Sequence, residues 1–169
     1  MHDFYKALAH ATNLIYQPNG LSVKSVLEET QNAKYGAGTF ELSSKTIRFR
    51  VANPTPTKTG QFVSFWKKDE RNKNQAYSYD KSPDLLVITT FTRENKWGQF
   101  IFPKKVLLEE GILSSNSIKG KMGIRVYPSW DKPASKLALQ TQRWQLPYFV
   151  DMSERDKQSI EKILRLYSF

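Results

Sequence analysis

The sequence predicts an α+β protein, a single domain over residues 1–169 with a mixed β-sheet flanked by helices at both chain ends. Three observations predict it. Apolar residues recur at near-helical spacing close to the N-terminus, at Phe4, Leu8, Ala11 and Ile15, and close to the C-terminus, at Ile160, Ile163, Leu164 and Tyr167. Between these ends Ile47, Phe49 and Val51 alternate with Arg48 and Arg50, the period of a half-buried strand. Asp84 to Thr92 is a nearly continuous apolar run, which reads as a central strand covered on both faces.

The elements follow in order. Asp3 is placed to cap a first helix over residues 3–16, and Gln17-Pro18-Asn19-Gly20 ends it by turn chemistry. Ser22 can cap a second helix through Val26 and Leu27, with Glu28 and Glu29 on its last turns. After the flexible break Tyr35-Gly36-Ala37-Gly38, strands 39–42 and 46–51 form a hairpin across Ser43-Ser44-Lys45. Arg48 and Arg50 then share a polar face, which on its own reads as solvated. Residues 53–60 form a connection with two prolines and no apolar residue, carrying Lys58.

A strand follows at Gly60-Gln61-Phe62-Val63-Ser64-Phe65-Trp66-Lys67-Lys68. Its pattern is echoed by Gly98-Gln99-Phe100-Ile101-Phe102-Pro103-Lys104-Lys105. Side by side, the two would set amides on one sheet face and lysine pairs at nearby ends. Residues 69–82 between them are charged and polar, a mobile loop or lid. Arg93-Glu94-Asn95-Lys96 turns into the echo strand, 97–102. Pro103 opens a short helix through Leu108, ended by Gly111. Ser114 to Gly120 is a loop, residues 122–127 a further strand, and residues 128–133 a turn that presents Trp130. Pro133 opens a helix that Pro147 ends, with Trp144 a core anchor. Ser153 with Asp156 starts the last helix in the manner of a capping box.

Composition bounds the chemistry. With no cysteine among 169 residues, disulfides, thiol catalysis and zinc–thiolate sites are excluded. The two histidines, His2 and His10, stand eight apart and are not expected to share a metal. Neither a Gly-rich phosphate loop nor a serine-hydrolase set is present. The first residues lack a signal peptide's basic-then-apolar order, and no window approaches the ~18 apolar residues of a membrane span. The expectation is a soluble cytoplasmic protein with no membrane insertion. Net charge is +10, and residues 45–75 hold eight cations against two carboxylates. Clustered positive charge accumulates polyanions through counterion release and steering.

Two constellations bear on nucleic acid. Pro83-Asp84 followed by Glu94-Asn95-Lys96 spells the signature of PD-(D/E)XK nucleases, in which two carboxylates hold Mg²⁺ and a lysine positions the attacking water. Glu94 and Lys96, however, fall in a polar turn, where their spacing does not fix a common direction. A variant of that site would draw on Asp84, on Glu28 or Glu29, and on Lys58, with Gln61 where the second acid would stand. The order of helix, three strands, helix and further strand is similar to that nuclease core. The second constellation is aromatics mixed with cations: Trp66 beside Lys67 and Lys68, and Tyr127 and Trp130 after Arg125. Rings of this kind stack unpaired bases while cations hold phosphates.

Ordered matches over most of the chain identify a family. They include Tyr35-Gly36-Ala37, Phe49-Arg50, Pro54-Thr55-Pro56-Thr57-Lys58-Thr59-Gly60-Gln61-Phe62-Val63 and Trp66-Lys67. They continue through Asp84, Gly98 to Lys104, Gly120 to Pro128, Trp130-Asp131 and Thr141-Gln142-Arg143-Trp144-Gln145. The sequence resembles the MepB-like family of small bacterial proteins, with Lys68 and Met122 where that family often carries arginine. The resemblance implies a fold similar to the PD-(D/E)XK nucleases without their full catalytic set, and nucleic-acid or nucleoside binding.

The expected function is therefore non-catalytic nucleic-acid binding. Lys58, Lys67, Lys68, Lys104 and Arg125 would contact phosphate; Trp66, Tyr127 and Trp130 would stack bases; Gln61 and Gln99 would hydrogen-bond. No cofactor and no metal site is expected. The alternatives are a Mg²⁺-dependent nuclease on Asp84 with Glu28, Glu29 and Lys58 or Lys96, or a binder of a nucleoside or small aromatic ligand linked to multidrug efflux.

Overall fold

In chain order the elements of the structure, a computed structural model describing residues 3–168, are α1 (Phe4–Ala11), β1 (Val23–Glu28), β2 (Gly38–Leu42), β3 (Lys45–Val51), β4 (Asn53–Thr55), β5 (Lys58–Ser64), β6 (Lys67–Lys68), β7 (Asn74–Gln75), β8 (Leu85–Phe91), β9 (Trp97–Pro103), α2 (Lys104–Glu109), β10 (Gly123–Val126), α3 (Lys136–Gln145), β11 (Phe149–Asp151) and α4 (Lys157–Tyr167). They form an α+β architecture on a mixed six-stranded sheet of order β1-β2-β3-β8-β9-β11. β3 and β8 run parallel, and every other pair in that sheet is antiparallel.

The apolar run of β8 is covered on both faces. Leu85 and Val87 enter one core with Phe4, Leu8, Ile47, Phe49, Ile163 and Tyr167, beneath α1 and α4. Leu86 and Ile88 enter a second core with Val63, Phe100, Phe102, Leu107 and Val126. That second face carries α2, α3 and a three-stranded sheet of order β10-β5-β4. Under α4, Tyr167 donates to Gln99 Oε1 at 2.6 Å and Gln99 Nε2 to Thr89 Oγ1 at 3.0 Å. Since that proton is committed, Tyr16 donates to Tyr167 across their 2.7 Å contact. Among the described residues no helix is long and apolar enough to cross a membrane.

Several expectations hold. Asp3 caps α1 by accepting from Lys6 N, and a π-turn and a 3₁₀-turn carry the chain from there to Gly20. The β2–β3 hairpin, the central strand and the helix after Pro103 lie where the sequence places them. The last helix starts one cap later, on Asp156, whose side chain accepts from Ser159 N. Ser153 instead accepts from Trp97 N and donates to Asp151. His2 lies outside the described residues.

Other expectations are corrected. Residues 22–29 are no helix: β1 lies antiparallel along β2, with a bulge between Lys24 and Leu27 where Ser25 takes φ +54°. Val26 and Leu27 are exposed, so no packing rewards a helical stripe, and the free edge of β2 satisfies the backbone instead. The prolyl connection is the β4–β5 hairpin. The two echoing strands do not adjoin, because β5 pairs with β4 and β10 while β9 pairs with β8 and β11. Residues 69–82 are pinned rather than free-hanging: Asp69 Oδ1 accepts from Arg71 N and Lys73 N, and the Tyr77 ring is buried. Three-residue β11 is too short to register as alternation in the sequence.

Candidate functional site

Three segments on the second face converge on an open cleft of ≈ 690 Å³. One wall is the β4–β5 hairpin from Pro54 to Gln61, another the β8–β9 turn from Phe91 to Lys96, and the third Trp130 with Asp131. Each wall is braced. Arg125 on β10 reaches across β5, donating from Nη1 to Thr55 Oγ1 at 2.9 Å and to the Thr59 carbonyl at 3.3 Å. Gly60 takes φ +84°, and a Cβ there would sit 2.8 Å from the Tyr127 ring, so this ring and this glycine set the hairpin's approach. Thr92 Oγ1 accepts from Glu94 N and Lys96 N, folding the second wall tightly. Gln142 Nε2 donates to the carbonyls of Pro128 and Asp131 at 3.1 and 2.9 Å, fixing the third wall to α3.

The lining mixes polar and apolar groups, with cations at the rim. Lys58, Arg93 and Lys96 are exposed, facing Glu94 and Asp131. Trp130 is half-buried, packed edge-on against Phe149 at 5.5 Å while contributing to the cleft wall. Gln61 donates to the Phe91 carbonyl at 3.1 Å, and its Oε1 is buried without a partner. Burial raises the Asp131 carboxyl above its ordinary value, with the Lys96 charge opposing the rise.

Of the residues singled out by sequence, Lys58, Gln61 and Trp130 meet in the cleft. Arg125 and Tyr127 stand behind it as braces. Tyr127 is buried, so its ring is no open stacking platform. Trp66, Lys67 and Lys68 lie apart around β6, with Lys68 Nζ 5.2 Å from the Trp66 ring centroid. Gln99 is sealed beneath α4 by its bonds to Tyr167 and Thr89. Lys104 stands at the start of α2, over the Tyr79 ring. Arg93 and Asp131 join the cleft without having been singled out; the signal was their place in polar turns flanking strand ends.

The nuclease set is dispersed. Asp84 and the Glu94–Lys96 turn occupy opposite ends of β8, and a seven-residue strand spans roughly 20 Å. Asp84 Oδ2 accepts from Thr46 N and Oγ1, tying β3 to β8. Glu28 is exposed on the edge strand, and Lys58 is in the cleft. Among the described residues no three His, Asp or Glu side chains gather as a metal site.

Glu29 has other work. Its Oε1 accepts from Arg50 Nη1 at 2.8 Å and Arg48 Nε at 3.4 Å, and its Oε2 from the Tyr77 hydroxyl at 3.0 Å. Arg50 is fully buried, also donating to the carbonyls of Ser64 and Phe49, and Arg48 stacks on the Tyr77 ring. The expected solvated face is thus a covered ionic layer. Burial alone would raise the Glu29 carboxyl, but Arg50 and Arg48 outweigh it and hold it below the ordinary carboxylate value. The position of Glu29 near the chain start gave no sign of this partnership, which only the sheet order creates.

A family described as MepB-like matches residues 29–151. A crystal structure of MepB is similar at 39% sequence identity and a TM-score of 0.77, covering 93% of this chain and 100% of the other. No curated protein matches.

Proposed function

The chain belongs to the MepB-like family, and we propose that it binds nucleic acid, taking an unpaired strand into the cleft and leaving it uncut. The observation that carries this reading is the cleft itself. Lys58 on one wall stands with Arg93 and Lys96 on another, and the Trp130 indole contributes to the third. Cations spread along a trough suit successive phosphates, and a π-face accepts any base. The nuclease-like topology implied by the resemblance is part of this reading, supported by the mixed six-stranded sheet. Cleavage is left out because Asp84 is engaged with Thr46 and Glu29 with two arginines, so the acids required to share an ion are spent on separate structural tasks. A deep, enclosed and mostly apolar pocket would suit a small aromatic ligand better than this open trough with its charged side chains.

The test is fluorescence anisotropy of labelled single- and double-stranded oligonucleotides across a salt series, with and without Mg²⁺. Single strands are expected to bind better, with intact product. If all three cations engage phosphate, log K falls by roughly 2 per decade of salt. Trp130→Leu is expected to weaken single-strand binding by about 1–3 kcal/mol. Binding indifferent to salt, or a preference for duplex that ignores Trp130, overturns the reading.

A further inference from the structure

A second pocket, of ≈ 300 Å³, shares Lys58 and Thr59 with the cleft and opens against the first turn of α3. Its other lining residues are Arg125, Tyr127, Pro133, Ala134, Ser135 and Ala138. We propose that this pocket is a phosphoryl-group site, a deepening that rests on the nucleic-acid reading of the adjoining cleft.

Four features converge. The lining holds two cations and no carboxylate, whereas the larger cleft mixes Glu94 and Asp131 with its cations. Among the described residues Arg125 is held by Nη1 alone, through Thr55 and Thr59, so its Nε and Nη2 have no acceptor there. A guanidinium fixed at one corner presents its remaining edge at little entropic cost, the geometry suited to phosphate oxygens. Tyr127 lines the pocket at 8% exposure, and its hydroxyl makes no hydrogen bond within the described residues. The ring is packed while its hydroxyl stays open to solvent, a free donor available to an anion.

The fourth feature is the helix start. Ser135 caps α3 by accepting from Ala138 N, and Leu139 N bonds back to the Ser135 carbonyl. The Lys136 and Leu137 amides of that first turn have no acceptor among the described residues, and Ser135 and Ala138 of the same turn line the pocket. Free amides with the helix dipole favour an anion there. Because Lys58 borders both spaces, a strand in the cleft has a phosphate within reach of this pocket.

The first test is direct. Inorganic phosphate is titrated into ¹⁵N-labelled protein, and amide shifts are followed by NMR for the wild type, Tyr127→Phe and Lys58→Ala. Saturable shifts at Ser135 to Ala138 are expected, with affinity about tenfold weaker in each variant at unchanged melting temperature. Tyr127→Phe removes only an unbonded hydroxyl, so its fold is not at risk. Absent shifts, or equal affinity in all three proteins, overturn the site.

Oligonucleotides with and without a 5′-phosphate then separate two sources of the same chemistry. Preference for the 5′-phosphate assigns a strand end to the pocket. Equal affinity, with the wild-type salt slope lowered by about 0.7 in Arg125→Gln, assigns an internal phosphodiester. A wild type that binds no oligonucleotide overturns the cleft's proposed function, while the phosphate titration still reads the pocket on its own.

Discussion

Glu29 shows how far one carboxylate can be recruited for structure. Arg50 is fully buried and depends on it for a counter-charge, so removing that charge strands a cation in the second core. Glu29→Gln is expected to cost about 3–5 kcal/mol in urea unfolding. Its pH dependence follows from the lowered pKa. The stabilisation is complete above the ordinary carboxylate value and is lost as pH falls through the lowered one; Glu29→Gln should flatten that acid limb. The opposite limb is shared by Tyr16, whose hydroxyl is pushed up to about 12 by burial, and by its neighbour Tyr167, which burial also raises well above the ordinary value. An unfolded tyrosine ionises near 10, so the Tyr16 contribution is full below pH ~10 and lost as pH rises towards 12. Tyr16→Phe should reduce the alkaline loss and leave the part carried by Tyr167, read by denaturation at pH 9 and 11. Alternation put Arg48 and Arg50 on a common face, correctly. What covers that face was not legible, because Glu29 and Tyr77 arrive from distant segments.

At the scale of elements, long patterned segments declared themselves and short or edge elements did not. β8 was legible because Leu85 to Ile88 form an unbroken apolar run and six of its seven residues are buried. β1 was misread as a helix because it is an edge strand with exposed side chains, whose state is decided by the hydrogen bonds β2 offers. The kinship of β5 and β9 was visible as a repeat, yet pairing is a property of neighbours, and β10 claimed one edge of β5. The same pairing makes Gly60 critical. Gly60→Ala forces a side chain into φ +84° and a Cβ to 2.8 Å from Tyr127 and 2.9 Å from the Val126 carbonyl. The variant should lose more than about 1 kcal/mol and bind oligonucleotides less well, because the hairpin must swing away from Arg125. Thermal melting and anisotropy read the two effects separately; unchanged melting would show that the hairpin yields without cost.

Across the whole molecule, the layers sort charge and chemistry. Helices α1 and α4 close one face of the large sheet, while the β10-β5-β4 sheet, α2 and α3 cover the other and shape the cleft. The +10 charge raised the expectation of a polyanion partner without giving it an address: the densest run of cations, 45–75, is divided among a buried layer, a hairpin and the β6–β7 ribbon. Raising salt should therefore weaken non-specific duplex binding and cleft binding together, whereas Lys96→Ala should lower only the single-strand slope, by about 0.7. The brace that Arg125 throws across the hairpin has a consequence in time. Strands β4 and β5 leave the ribosome long before β10, and neither Arg125 nor Trp130 exists while residues 54–61 are being made. A nascent or truncated chain has basic segments but no trough to organise them, so under the proposed function ligand capture is a late event, open only once synthesis has passed residue 131 and the distant parts have met.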